Sequence, residues 1–252
     1  MATIRSWRDA VAGLEADLRA VVAGRLQSLV AYEAHGLLGE ATAAAPGDAT
    51  KDIRHDGRIH TLAVVEELGY ADLAALAPLT PAWNKRGLAV PLLLSPEEIR
   101  RSLDAFPLEF SQILSRHVLI AGDDLLAGCA VSPDDLRRAC EQQVRSHLLH
   151  LREGYLQSGG SPRKLAELVA ASVTPLRALL IDIARLHGVN ARTPDALTHF
   201  VEERLHLPKD GLRPLLSERP AEHFRSADAG ASFPAYLQAM EQLATLVDEW
   251  TR

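Results

Sequence analysis

Apolar positions along this chain step first at helical spacing, then at strand spacing, then at helical spacing again. Trp7, Val11, Leu14, Leu18 and Val21 recur at four, three, four and three residues, which sets them on one face of an amphipathic helix closed by Gly24. Residues 27–34 (QSLVAYEA) form a short run with a β-branched and aromatic centre and are predicted as a strand. Residues 35–57 shift to Gly, Ala, Thr, Pro and Asp, a loop composition. Residues 58–65 (RIHTLAVV) read as a second strand, buried at its valine end. Residues 70–77 read as a short helix whose continuation Pro78 and Pro81 break. In 88–94 (LAVPLLL) Pro91 has no amide to give a ladder, so this strand belongs at an edge or a bulge. Ser95-Pro96-Glu97-Glu98 is a helix start, with Ser95 as cap, Pro96 in the first turn and Glu98 closing a capping box. Residues 106–110 (FPLEF) and 117–121 (HVLIA) are predicted as extended pieces, the second ending at Gly122.

Beyond Gly122 the period is helical. Ser132-Pro133-Asp134-Asp135 opens a long helix to about Tyr155, with Leu136, Cys140, Val144, Leu148, Leu151 and Tyr155 on one face. Gly159-Gly160 is a hinge, and Ser161-Pro162 starts a helix to His187 that Pro175 should kink. A third helix runs from Thr193 to near Pro208. The last, from about Pro234 to Trp250, turns Leu237, Met240, Leu243, Val247 and Trp250 inward. The predicted class is α+β: a mixed-sheet α/β head over residues 1–125, followed by an all-α helical bundle over 126–252.

Composition narrows the field. The chain has 252 residues, 47% apolar and 24% charged, a globular balance that excludes a disordered or collagenous chain. A net charge of −6 carries no strong nucleic-acid signal. The most apolar stretch, 165–183, is interrupted by Glu167, Pro175, Arg177 and Asp182, so no membrane span is expected. Charges at Arg5, Arg8, Asp9, Glu15 and Asp17 argue against a signal peptide, and a cytoplasmic location is expected. Cys129 and Cys140 lack a metal-binding spacing and read as small thiols.

Specific stretches resemble a known family. SLVAYEAHG (28–36), GRIHTLAVVEEL (57–68), FPLEF from Phe106 and GDD from Gly122 are similar to the nucleotidyltransferase fold. The branch is the kanamycin nucleotidyltransferase-like one, in which a bacterial protein carries a helical bundle after the fold. The resemblance implies a Gly-Ser turn at the triphosphate and two aspartates, two apart on a strand, that hold Mg²⁺. Here the Gly-Ser pair falls on Glu33-Ala34, the aspartate pair on Arg58 and His60, and a third carboxylate position on the apolar run 88–94. Glu33 sets a negative charge where phosphates would sit, and Arg58 repels a metal. The resemblance thus implies a catalytically degenerate protein with no catalytic residue, metal or cofactor, in a ligand-binding, regulatory or scaffolding role. Its alternative is an active Mg²⁺-dependent transferase with relocated carboxylates.

Other constellations carry rival chemistry. Asp48, Asp52 and Asp56 either supply those relocated ligands or are solvated loop acids. Arg54, His55, Arg58 and His60 form a cationic cluster suited to a nucleotide or small anionic ligand without metal, or else simply a basic loop. Arg145 and His150 fit the R-x4-H pattern of HEPN ribonucleases, in which a His acts as acid or base and an Arg stabilises a phosphorane. Arg192 and His199 match it loosely, and such enzymes need a dimer. His147 and His150 stand at i, i+3, but no carboxylate or cysteine nearby completes a metal set. Pro107 is expected to fix an extended segment and Glu109 to pair with a bundle arginine. The expected partners are a nucleotide or small anion, and a second copy or another protein.

Overall fold

A computed structural model describes residues 7–32, 54–55, 58–217 and 226–250. The protein is α+β, a mixed sheet with helices followed by a helical bundle. It divides into two compact units, the first extending to Ser132 and the second taking up the chain from Pro133. Among the described residues no helix is long and apolar enough to cross a membrane.

In the first unit, α1 (Trp7–Val22) precedes β1 (Leu26–Tyr32), β2 (Arg54–His55) and β3 (Arg58–Val65). Next come α2 (Tyr70–Leu76), α3 (Thr80–Lys85), β4 (Leu92–Leu94), α4 (Pro96–Ala105), α5 (Pro107–Ser115) and β5 (His117–Gly122). β1 pairs antiparallel with β3 on one flank and with β5 on the other. β4 joins β3 in parallel, and β2 pairs antiparallel with the start of β3. β1 and β3 are buried on both faces, so their sequences read as nearly continuous apolar runs. One face sets Leu29, Ala31, Ile59, Ala63 and Val65 against Leu14 and Leu18 of α1 and Trp83 of α3. The other sets Val30, Tyr32, Leu62 and Val64 against Ile99, Phe110, Ile113 and Leu126. A register shift between Leu26 and Ser28 explains why Leu26 and Leu29, three apart, share a face.

Several local readings are corrected. Residues 106–110 are not extended: Pro107 opens α5, where its missing amide and fixed φ suit a first helical turn, and Phe106 is the exposed cap. The helix expected at 70–77 does end there, at Leu76, and Pro78 and Pro81 each enter the first turn of a new piece, a 3₁₀ turn at Ala77–Leu79 and then α3. The run 88–94 shrinks to a bridge at Leu88 and the three residues of β4. That strand does lie at a sheet edge, as Pro91 requires. The capping box of α4 forms as expected, with Glu98 N–H donating to Ser95 Oγ at 3.2 Å and Ser95 N–H to Glu98 Oε2 at 2.7 Å.

The second unit is helical throughout its described length: α6 (Pro133–Ser158), α7 (Pro162–Leu186), α8 (Pro194–Glu203), α9 (Lys209–Leu216) and α10 (Ser226–Glu249). α6 and α7 form a hairpin turned by Gly159 and Gly160, at φ +59° and +77°. The third predicted helix stops at Glu203, short of Pro208, and α9 follows it with Pro214 inside. α10 begins eight residues before Pro234. The buried Arg177 of α7 donates from Nε to the Leu215 carbonyl at 2.9 Å and from Nη2 to Ser217 O. It thereby satisfies carbonyls at the end of α9 that have no helical donor.

Candidate functional site

The cationic residues singled out in the sequence lie along β2 and the start of β3, at one corner of the sheet. β2 pairs with β3 so that Arg54 stands opposite Ile59 and His55 opposite Arg58. Arg58 is exposed at the start of β3 and donates to Asn84 Oδ1 of α3 at 3.3 Å. His60 is two residues on, half-buried, and lies directly opposite Tyr32 of β1, which lies opposite His117 of β5. Residues in register across a sheet point to the same side, so His60, Tyr32 and His117 form a row.

The Tyr32 and His60 rings tilt at 54° with centroids 5.9 Å apart. Tyr32 is buried, and desolvation together with the Glu109 charge pushes its phenol up to about 12. His117 donates from Nδ1 to the Ile113 carbonyl at 3.2 Å, since a carbonyl can only accept. Its Nε2 lies 3.4 Å from Asp124 Oδ1, an oxygen that also takes the Leu126 N–H at 3.1 Å. Tyr32 and His117 were invisible to motif reasoning. They join His60 only through strand register.

The donor set at this corner is rich in nitrogen and poor in clustered acid. Among the described residues, no group of three or more His, Cys, Asp or Glu side chains is placed to hold a metal. Glu33 and Ala34, and the loop acids Asp48, Asp52 and Asp56, lie outside the described residues.

In the helical unit the two members of the R-x4-H pattern have separate partners. Arg145 binds Asp248 of α10 at 2.6 Å and Glu141 at 3.4 Å. His150 is three-quarters exposed and lies 3.5 Å from Glu153. Five residues on an α-helix turn two side chains about 140° apart. His147 is instead buried. Its Nε2 lies 2.6 Å from the Tyr236 hydroxyl, which donates to Ser172 Oγ at 3.1 Å. Ser172 in turn donates to the Val169 carbonyl at 2.7 Å. This chain of groups underlies a groove of about 240 Å³ between α6 and α7. Burial, with His150 nearby, lowers the His147 imidazole to about 4. Burial also raises Tyr236 and the thiol of Cys140 above their ordinary values. No protein-family model matches the chain, and no curated protein matches it in sequence.

Proposed function

We propose that the sheet unit is a catalytically degenerate nucleotidyltransferase-like module. In this reading it binds a nucleotide or small anion at the β2–β3 corner without metal and serves a regulatory or scaffolding role. The observation that carries the reading is the pairing of β2 with β3. It brings Arg54 and His55 beside Arg58 in one hairpin, with His60 next along the strand. Guanidinium groups present parallel donors that match phosphate oxygens, and Arg58 is exposed to meet them. Where the resemblance implies an aspartate pair, β3 carries Arg58 and His60, and the charge that repels Mg²⁺ attracts phosphate.

Thermal unfolding with ATP, GTP, CTP and UTP, each with and without Mg²⁺ or Mn²⁺, tests this. At 100 times its dissociation constant a ligand adds about 2.7 kcal/mol and raises the midpoint by several degrees. The expected rise is independent of metal, weakened by salt and absent from Arg58→Ala. A rise that requires metal overturns the degenerate reading in favour of an active transferase using Asp48, Asp52 or Asp56. Absence of any rise removes the ligand and leaves a scaffold.

A further inference from the structure

The groove between α6 and α7 has a floor whose protons can be counted. Ser172 has one hydroxyl proton, and it goes to the Val169 carbonyl. The Tyr236 proton goes to Ser172 Oγ. The Tyr236 oxygen can then only accept from His147, so Nε2 carries the imidazole proton. In a neutral ring Nδ1 is left as a bare acceptor, and among the described residues no hydrogen bond reaches it. His147 is 8% exposed and lines the groove. The buried, weakly basic position of His147 keeps the ring neutral through the physiological range.

A second acceptor stands on the opposite wall. Pro175 has no amide hydrogen, so the carbonyl of Ala171, four residues earlier, lacks its usual helical donor. Ala171 and Pro175 both line the groove. Leu151 and Leu168 supply hydrocarbon, and α6 and α7 approach so closely beside Leu168 that a Cβ on Gly154 would lie 2.5 Å from it; Gln143, Ser146 and His150 are the other polar residues on the wall. No Asp, Glu, Lys or Arg lines the groove.

We propose that this groove is a binding site for a small, neutral, one- or two-ring aromatic molecule bearing an N–H or O–H donor, which it gives to His147 Nδ1. An ammonium would find no carboxylate among the lining residues, and at His147 Nδ1 a phosphate or carboxylate oxygen would meet an acceptor, where a neutral N–H or O–H finds a partner. Size sets the upper limit. The groove, open on the side of the exposed Ala171 and His150, has about 240 Å³, room for a phenol or an indole. The site lies in the helical unit and does not depend on anion binding by the sheet unit.

The test uses the full chain with indole and with benzofuran, its near-isostere that lacks the N–H. Binding is read by calorimetry and by the imidazole ¹⁵N signals. Indole should bind and move the Nδ1 resonance of His147. Benzofuran should bind about tenfold more weakly, the cost of leaving a buried acceptor unmet. Ala171→Phe, at an exposed wall position, should abolish indole binding while helical circular dichroism stays unchanged. Equal affinity for the two probes overturns the role of His147, and indole binding that survives Ala171→Phe overturns the location. No indole binding up to its solubility limit overturns the site. The comparison of the two probes on the unaltered protein holds even if the variant misfolds.

Discussion

Thr61 sits in the middle of β3, 1% exposed, and its hydroxyl has no hydrogen-bond partner among the described residues. A hydroxyl taken from water without replacement costs free energy that a methyl group of the same shape does not. Thr61→Val should therefore stabilise the protein by about 1 kcal/mol in urea unfolding, and a loss of stability would mean that the hydroxyl has a partner. Asp72 is the opposite case. Arg25 grips both its oxygens, at 2.6 and 3.0 Å, and the Gly69 amide adds a third bond at 2.9 Å. Arg25 foremost, with Gly69, holds the carboxyl down to about 2. A carboxyl depressed in the folded state contributes stability above its unfolded pKa, near 4, and loses it as pH falls toward 2. Asp72→Asn should flatten the acid limb of the stability profile between pH 4 and pH 2 while leaving the limb near pH 6 unchanged. A slope that persists in the variant would assign acid sensitivity to other groups.

At the scale of elements, the attachment of β5 to β1 turns on one glycine. Gly122 has φ +76°, and a Cβ there would lie 2.0 Å from the Gln27 carbonyl oxygen, backbone that cannot step aside. Gly87 has a similar φ of +79° but open space around it. Gly122→Ala should cost about 2–4 kcal/mol, against about 1 for Gly87→Ala, which pays only for the left-handed conformation. Equal costs in urea unfolding would show that φ alone matters. The same contrast between local and distant constraint explains what could be read from the chain. The extent of β3 and the cap of α4 depend on neighbours in sequence, and both follow from the pattern. α5 does not, because a five-residue apolar run with a proline suits a strand start or a helix start equally. α9 is only eight residues long and carries Pro214 inside it, which masks the helical spacing of Leu212, Leu215 and Leu216. At the sheet corner Arg54, His55, Arg58 and His60 were legible as a charge cluster. Tyr32 and His117 were not, since register across three strands brings them to His60. His147 stood out only beside His150, whereas its partner Tyr236 comes from α10 and passes its own proton to Ser172 of α7.

The molecule as a whole joins two units with different kinds of contact. In the second, α6 and α7 meet across a turn of two glycines, so their packing needs only neighbouring chain. In the first, Ser28 is paired with Gly122, near opposite ends of the unit. Distant pairings must pay for closing a long loop before any contact rewards it, so a sheet of this kind forms slowly while a helical hairpin forms fast. That difference matters during synthesis. β1 leaves the ribosome nearly a hundred residues before its partner β5. Through that interval the flank of β1 that β5 will occupy is open, on a strand whose residues are nearly all buried once folded. A nascent chain that stalls before Gly122 thus displays LQSLVAY to its surroundings, and a chaperone that holds this segment would guard the chain through that interval.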